Sequence, residues 1–170
     1  GHVAPPVPRE GGETITVEQM EETLLEEATG TIRAKEVSTV SPRITATILS
    51  MTVRAGDSVE KGEVLISLDD RDLESRVQQA EQALEAIKAQ RKDAELALER
   101  TRELVEEGAA PVSQLDQREA TYQSLSADVQ RQQRAVEEAK ASLSYATITS
   151  PISGRIIERF AEPGDTASPG

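Results

Sequence analysis

Val40-Ser-Pro-Arg-Ile-Thr-Ala-Thr-Ile-Leu-Ser-Met-Thr-Val-Arg-Ala-Gly-Asp-Ser-Val-Glu-Lys-Gly62 is answered, 108 positions later, by Ile148-Thr-Ser-Pro-Ile-Ser-Gly-Arg-Ile-Ile-Glu-Arg-Phe-Ala-Glu-Pro-Gly-Asp-Thr-Ala-Ser-Pro-Gly170. The constant offset aligns Ile44 with Ile152, Ile48 with Ile156, Gly56-Asp57 with Gly164-Asp165 and Gly62 with Gly170. An internal repeat of this kind signals two similar supersecondary units that bury a shared face by packing together. In the first copy, 44–54 is rich in β-branched residues. Ala55-Gly56-Asp57-Ser58 and Glu60-Lys61-Gly62-Glu63 carry turn residues, and Val64–Leu68 is a short apolar run. The second copy repeats the plan from Ala146 to Thr149, from Gly154 to Phe160 and through the Gly164-Asp165 turn. Upstream, 13–17 alternates polar and apolar residues, and 30–41 continues in β-branched style, so both are expected as strands. Neither half is large enough to bury a core alone. The expectation is that they interlock as one small, flattened β-sandwich.

Between the copies, apolar and small residues follow a 4-3 rhythm: Leu73, Val77, Ala80, Leu84, Ile87, Ala94, Leu98 and Val105, with Arg91 and Thr101 in register as polar interruptions. The rhythm resumes at Leu115, Tyr122, Leu125, Val129, Val136, Ala139, Leu143 and Ala146, interrupted by Arg118 and Gln132. Repetition every 3.5 residues specifies a coiled-coil seam. Glu107-Gly-Ala-Ala-Pro-Val-Ser113 separates the two runs: Gly108 is expected to leave the first helix and Ser113 to cap the second. So short a loop makes the helices antiparallel. At ~1.5 Å per residue, helices of roughly 35 residues make an arm about 50 Å long.

Composition suits such an arm. The 170 residues include one Phe and two Tyr, and the net charge is −12, which removes the basic face that nucleic acid requires. No cysteine is present, which excludes disulfides and thiolate metal sites. No run approaches the ~18 apolar residues of a membrane-spanning helix, and no basic-then-apolar leader is visible. Gly1-His2 reads as a tag remnant and 3–12, rich in Pro and Gly, as a flexible linker.

Catalysis finds little support, and the chain is read as a non-enzyme without cofactor or metal. The single histidine, His2, lies in the tag remnant. Met20 and Met51 are isolated, no Gly-rich phosphate loop opens a helix, and the carboxylates fall on helix faces where pairing with Lys or Arg explains them. A swinging-arm carrier is the rival reading of the β-repeat. Its lysine belongs at the hairpin joining the two halves, which here is the whole helical insert. Lys61 lies in another turn and aligns with Pro169.

Val53-x-x-Gly-Asp-x-Val-x-x-Gly-x-x-Leu-x-x-Leu-Asp69 resembles the first half of a biotinyl/lipoyl-type domain. Tyr145-Ala-Thr-Ile-Thr-Ser-Pro-Ile-Ser-Gly-Arg-Ile156 resembles the second half as found in periplasmic adaptor proteins, also called membrane fusion proteins. The resemblance covers roughly 28–170 and departs at Ala46, where the family usually has glycine and where the second copy keeps Gly154. It implies an α+β fold: a split biotinyl/lipoyl-like β-sandwich with an inserted antiparallel α-helical coiled-coil hairpin. The corresponding division is tag remnant and linker (1–12), a strand left from β-barrel and membrane-proximal domains not included in the chain (13–27), lipoyl-like half 1 (28–69), hairpin (70–145) and lipoyl-like half 2 (146–170). The family bridges an inner-membrane transporter to an outer-membrane channel in the periplasm and self-associates into a ring when full length. The implied function is thus an efflux adaptor anchored to the inner membrane by a segment outside these residues. A proton-driven transporter of the resistance-nodulation-division type is preferred over an ABC exporter. A carrier domain or a free coiled-coil scaffold is the alternative. Family members carry a hairpin-tip motif Arg-x-x-x-Leu-x-x-x-x-x-x-Ser for channel contact. Arg100 and Leu104 match its first two positions, whereas Ser113 follows Leu104 by nine residues instead of seven. The implied partner-binding set is Arg100, Leu104, Gly108 and Ser113. Arg100 and Leu104 also read simply as an exposed helix charge and a seam residue.

Overall fold

The computed structural model describes residues 30–170. The strand expected at 13–17, and the segment 13–27 as a whole, lie outside the described residues. The chain divides into two units, 1–36 and 37–170. Within the first, 30–36 is exposed and has no regular secondary structure. The second unit holds β1 (Ala46–Met51), β2 (Ser58–Val59), β3 (Val64–Leu68), α1 (Arg71–Glu106), α2 (Val112–Ser144), β4 (Thr147–Thr149), β5 (Gly154–Arg155) and β6 (Thr166–Ala167).

The strands form two small antiparallel sheets, ordered β4-β3-β1-β6 and β2-β5. Their pairing is reciprocal under the sequence offset. Ala46 faces Ala167 and Thr47 faces Thr166 across β1 and β6, while Gly154 faces Val59 and Arg155 faces Ser58 across β5 and β2. Each half therefore lends its second strand to the first strand of the other. The loop bonds repeat as faithfully. The Ile48 N–H donates to the Asp165 carbonyl and the Ile156 N–H to the Asp57 carbonyl, both at 2.9 Å. The Gly164 N–H donates to Ile48 O at 2.8 Å and the Gly56 N–H to Ile156 O at 2.7 Å. In both turns an Asp carboxylate accepts from the backbone N–H three residues earlier: Asp57 from Arg54 at 2.8 Å and Asp165 from Glu162 at 2.9 Å. Gly56 and Gly164 occupy the same left-handed conformation, φ 96° and 95°, which a side chain would strain. Interlocking is thus written into the repeat, because neither half satisfies its backbone without the other.

The buried residues are few. Ile48, Leu68, Ala146 and Ile148 form one cluster, and Val53, Val59 and Leu65 a second. Leu73, in the first turn of α1, packs against the former, so the arm's base is continuous with the β-core. Each fully buried aliphatic side chain contributes about 1.5–3 kcal/mol, and the hydrogen-bonded turns add to what this small core supplies. The departure at Ala46 is accommodated. It lies in β1 and pairs with Ala167 of β6, and a Cβ placed on its counterpart Gly154 would meet nothing within 4 Å.

Two strand expectations are corrected. Residues 37–41 have no regular secondary structure and are mostly exposed, as are 30–36 in the other unit, so the strand expected over 30–41 does not form. The counterpart of 39–41 is β4, which is a strand because β3 pairs with it through Ile66–Ile148 and Ser67–Thr147. Among the described residues, 39–41 has no such neighbour, and β-branched composition without a partner leaves a chain extended but unpaired. For the same reason the strand expected from Gly154 to Phe160 shrinks to Gly154–Arg155.

The helices follow the 3.5-residue rhythm closely. Val77, Leu84, Leu98 and Thr101 are buried on α1, Val129 and Val136 on α2. Leu84, Val129 and Val136 cluster with Ala80 and Ile87 across the seam. Thr101, read as an interruption, is buried without cost in unmade bonds: its hydroxyl donates to the Ala97 carbonyl at 2.8 Å. Outside the seam the arm is solvated, and one ion pair, Lys140 to Glu81 at 2.8 Å, spans the helices among the described residues.

Candidate functional site

The free end of the hairpin gathers the residues singled out from the sequence. Helix α1 stops in a hydrogen-bonded pattern that requires glycine. The Gly108 N–H donates to Val105 O at 3.0 Å and the Ala109 N–H to Leu104 O at 2.7 Å. Gly108 lies at φ 74°, the left-handed residue of a Schellman stop. Its expected role as the exit from the first helix is what the geometry shows.

Ser113 does not cap α2. Pro111 holds the N-cap position at φ −76°, ψ 149°, no side chain closes that end, and Ser113 is already the second helical residue. Proline there suits a helix start because the ring fixes φ. The Gln114 N–H bonds back to the Pro111 carbonyl at 3.0 Å. Ser113 is therefore left exposed, with its hydroxyl free of any cap bond.

Leu104 is not a seam residue either. Val105 takes the seam position, and Leu104 is 44% exposed. Arg100, one turn earlier on the same side of α1, is exposed and makes no ion pair among the described residues. Arg100, Leu104, Gly108 and Ser113 thus occupy only the last ~12 Å of the arm. Val112, which the sequence reading passed over, is 61% exposed beside them, and Ala109 and Pro111 are exposed between. A signal was available: Leu104 and Val112 are apolar residues one step out of the 3.5-residue register, on either side of the loop. A solvated rod that ends in out-of-register aliphatics and a proline presents exposed apolar residues at its cap, with Arg100, Glu103 and Glu107 also exposed in and just after the last turns of α1. Such a cap can dock a protein surface. It offers no nucleophile–base pair, and no group of three or more His, Cys, Asp or Glu able to hold a metal occurs among the described residues.

At the opposite end of the arm, Lys61 sits exposed in the turn between β2 and β3, where its backbone N–H donates to Ser153 Oγ at 2.9 Å. The joint between the two halves, where a carrier lysine belongs, is occupied by α1 and α2. No described helix is long and apolar enough to cross a membrane.

Known proteins share this architecture. The nodulation protein NolF of Rhizobium meliloti (strain 1021) is 34% identical over 129 residues, a match covering 76% of this chain and 35% of that protein. The multidrug resistance protein MdtA of Proteus mirabilis (strain HI4320) is 29% identical over 143 residues, covering 84% of this chain and 35% of its own length. The chain thus spans about a third of the length of these relatives. Among solved structures, a MacA–MexA chimera containing the Pseudomonas aeruginosa MexA α-hairpin domain superposes with a TM-score of 0.55 at 27% identity, covering 77% of this chain and 41% of the chimera. The family model described as the CzcB-like barrel-sandwich hybrid domain matches residues 36–169. With its reciprocal β-halves, its inserted hairpin and that match over most of its length, the chain belongs to the CzcB-like barrel-sandwich hybrid domain family.

Proposed function

We propose that this chain is the lipoyl-and-hairpin part of a periplasmic adaptor that links an inner-membrane transporter to an outer-membrane channel for the efflux of small molecules. The observation that carries this reading is the pairing of a small sandwich with a solvated arm of ~50 Å that ends in an exposed apolar tip. The multidrug resistance name of MdtA and the MexA hairpin within the chimera support efflux as the process. Arg100 and Leu104, at the spacing of the resemblance, favour a transporter of the resistance-nodulation-division type over an ABC exporter. The tip residues Arg100, Leu104, Gly108 and Ser113, with Val112, form the channel contact. Ser113 joins that contact as an exposed hydroxyl freed from capping. The β-module contributes to ring formation in the full-length protein, anchored at the inner membrane through other segments.

These 170 residues contain no cysteine, so a thiol placed at the tip is unique among them. Ala109→Cys, placed in the full-length protein in its own cells, should crosslink to an outer-membrane channel protein that mass spectrometry identifies. Crosslinks confined to cytosolic acyltransferases, carboxylases or other soluble proteins would reject the adaptor reading and restore the carrier or scaffold.

A further inference from the structure

At the base of the arm lies a cavity that the hairpin tip does not involve. It measures about 470 Å³ and opens between the edge strand β4 and the segment 38–43, reaching the end of α2. Its walls correspond under the offset of 108: Thr39 and Ser41 line one side, Thr147 and Thr149 the other. No residue of β3 lines it, so it lies outside the free edge of β4. Along that strand Ala146 and Ser150 bond inward: Leu68 N–H donates to Ala146 O at 2.8 Å and Ser150 N–H to Glu63 O at 2.9 Å. The alternation of an antiparallel ladder turns the N–H groups of Thr147 and Thr149 the other way, toward the cavity.

The symmetry of the walls fails at two residues, and those two are stacked on each other. Arg43 stands where the second half has Pro151, and Tyr145 where the first has Val37. The Arg43 guanidinium lies over the Tyr145 ring, 5.2 Å from its centroid. Stacking occupies the face of a guanidinium and leaves the N–H donors along its edge available. Among the described residues Arg43 makes no ion pair. Neither its side chain nor the hydroxyls of Thr39, Ser41, Thr147 and Thr149 make a hydrogen bond there. No carboxylate lines the cavity, in a chain that carries 31 acidic residues. An unpaired planar cation, hydroxyl and main-chain donors, and no competing acid together suit a tetrahedral oxyanion.

We infer that this cavity binds the phosphate group of a small, polar, soluble ester, with Arg43 and the β4 edge at Thr147 and Thr149 as its donors. The volume decides for an ester over the bare ion. It falls within the roughly 300–1,000 Å³ of small-molecule sites, which is more than phosphate alone fills. The hydroxyls lining the remainder suit a polyol body such as a sugar. A phospholipid headgroup offers the same phosphate, and the two sources are separated by experiment. A cation beside the last turn of α2 also complements the helix dipole, since Tyr145 is the C-cap. That role alone requires no bound anion.

The test is amide NMR of the full chain titrated with glucose 6-phosphate, and separately with inorganic phosphate, at constant ionic strength. Saturable shifts are expected at Arg43, Tyr145, Thr147 and Thr149 and their neighbours, half complete at about 1 mM for the ester and weaker for the bare ion. Arg43→Gln removes the charge from an exposed side chain and should weaken binding about tenfold or more, whereas Arg43→Lys should restore part of it. Thr147→Val with Thr149→Val keeps the β-branching, removes two hydroxyls and should weaken binding by about threefold or more. Shifts that grow linearly and spread over the other Arg and Lys residues would overturn the site. So would undiminished affinity in Arg43→Gln with its far-ultraviolet helical signal intact, or a lowered melting temperature in that variant while the parent chain shows no saturable response. Binding to phosphatidylglycerol vesicles that Arg43→Gln abolishes, with no response to either soluble phosphate, would overturn the soluble ligand and give the site to a lipid headgroup.

Discussion

The β-module and the hairpin use opposite means to become ordered. In the module the decisive contacts join residues about a hundred positions apart, from Ile48 with Asp165 to Gly56 with Ile156, and the strands they hold are only two to six residues long. In the hairpin, each helix satisfies its own backbone locally, and the partner adds a single seam. The first region is ordered by closure, the second by repetition. Damage to a closed unit is therefore shared by all of it, whereas damage to a repetitive one stays near its origin.

Leu68→Ala is the strongest way to break that contrast. The side chain is 2% exposed and joins β3 to Ile48, Ala146 and Ile148, so its loss is expected to cost about 3–5 kcal/mol. In so small a core there is little neighbouring mass to collapse into the space. Denaturant unfolding followed by hydrogen exchange should show the whole module losing protection, with the distal hairpin amides nearly unchanged. A uniform loss along the arm would mean that the two regions are one cooperative unit.

Leu84→Ala removes a residue of similar size from the seam. Leu84 is 8% exposed and packs with Val129 and Val136, so a cost of about 2–3 kcal/mol is expected, at the low end for a buried leucine. Its effect should be confined to a few turns on either side. If the module's amides also lost protection, repetition would not be what holds the arm.

Gly56→Ala and Gly164→Ala sharpen the comparison within the module. A Cβ at either position meets nothing within 4 Å, so strain at positive φ is the whole effect, about 1–2 kcal/mol each. Reciprocal pairing requires the two values to agree. A clear inequality in thermal denaturation would show that one half templates the other.

These regions also differed in how much the sequence disclosed. The seam was legible residue by residue, from Leu73 to Val105 and from Leu115 to Ala146, because a helix reports its buried face in its own periodicity. The repeat disclosed that two halves interlock, and the Gly-Asp turns marked where. Strand extent was not legible, because a strand exists only where another is beside it: 39–41 and 147–149 have similar composition, yet only the latter lies against β3. At the tip, Gly108 announced its role through its chemistry. Ser113 misled because a better start, Pro111, stood two residues earlier. Val112 was overlooked because an exposed valine is visible only once the seam register is fixed.

The smallest expected effect lies at the joint between the regions. Asp69 follows β3 directly, its N–H donates to Thr47 O at 2.8 Å, and its carboxylate accepts from the Arg71 side chain at 2.7 and 3.0 Å and from the Arg71 N–H at 3.3 Å. That carboxylate does the work of a helix cap for α1, since Asp70 in the N-cap position makes no side-chain bond. The guanidinium bonds hold the Asp69 carboxyl below its ordinary value of 3.8, with the backbone bond adding to the shift. A lowered folded-state value favours the native state at every pH above the ordinary value, and the contribution disappears as pH falls through the folded one. Near neutral pH, Arg71→Ala should therefore destabilise the joint slightly, because an exposed pair of this kind is screened. As pH falls through the lowered folded value, the variant and the parent chain should converge, once the carboxylate is protonated in both. A carboxyl titration by NMR checks the cause directly: Asp69 should move back up toward its ordinary value in the variant. If it did not move, the backbone N–H rather than the guanidinium would be holding it, and α1 would be joined to β3 by main-chain geometry alone.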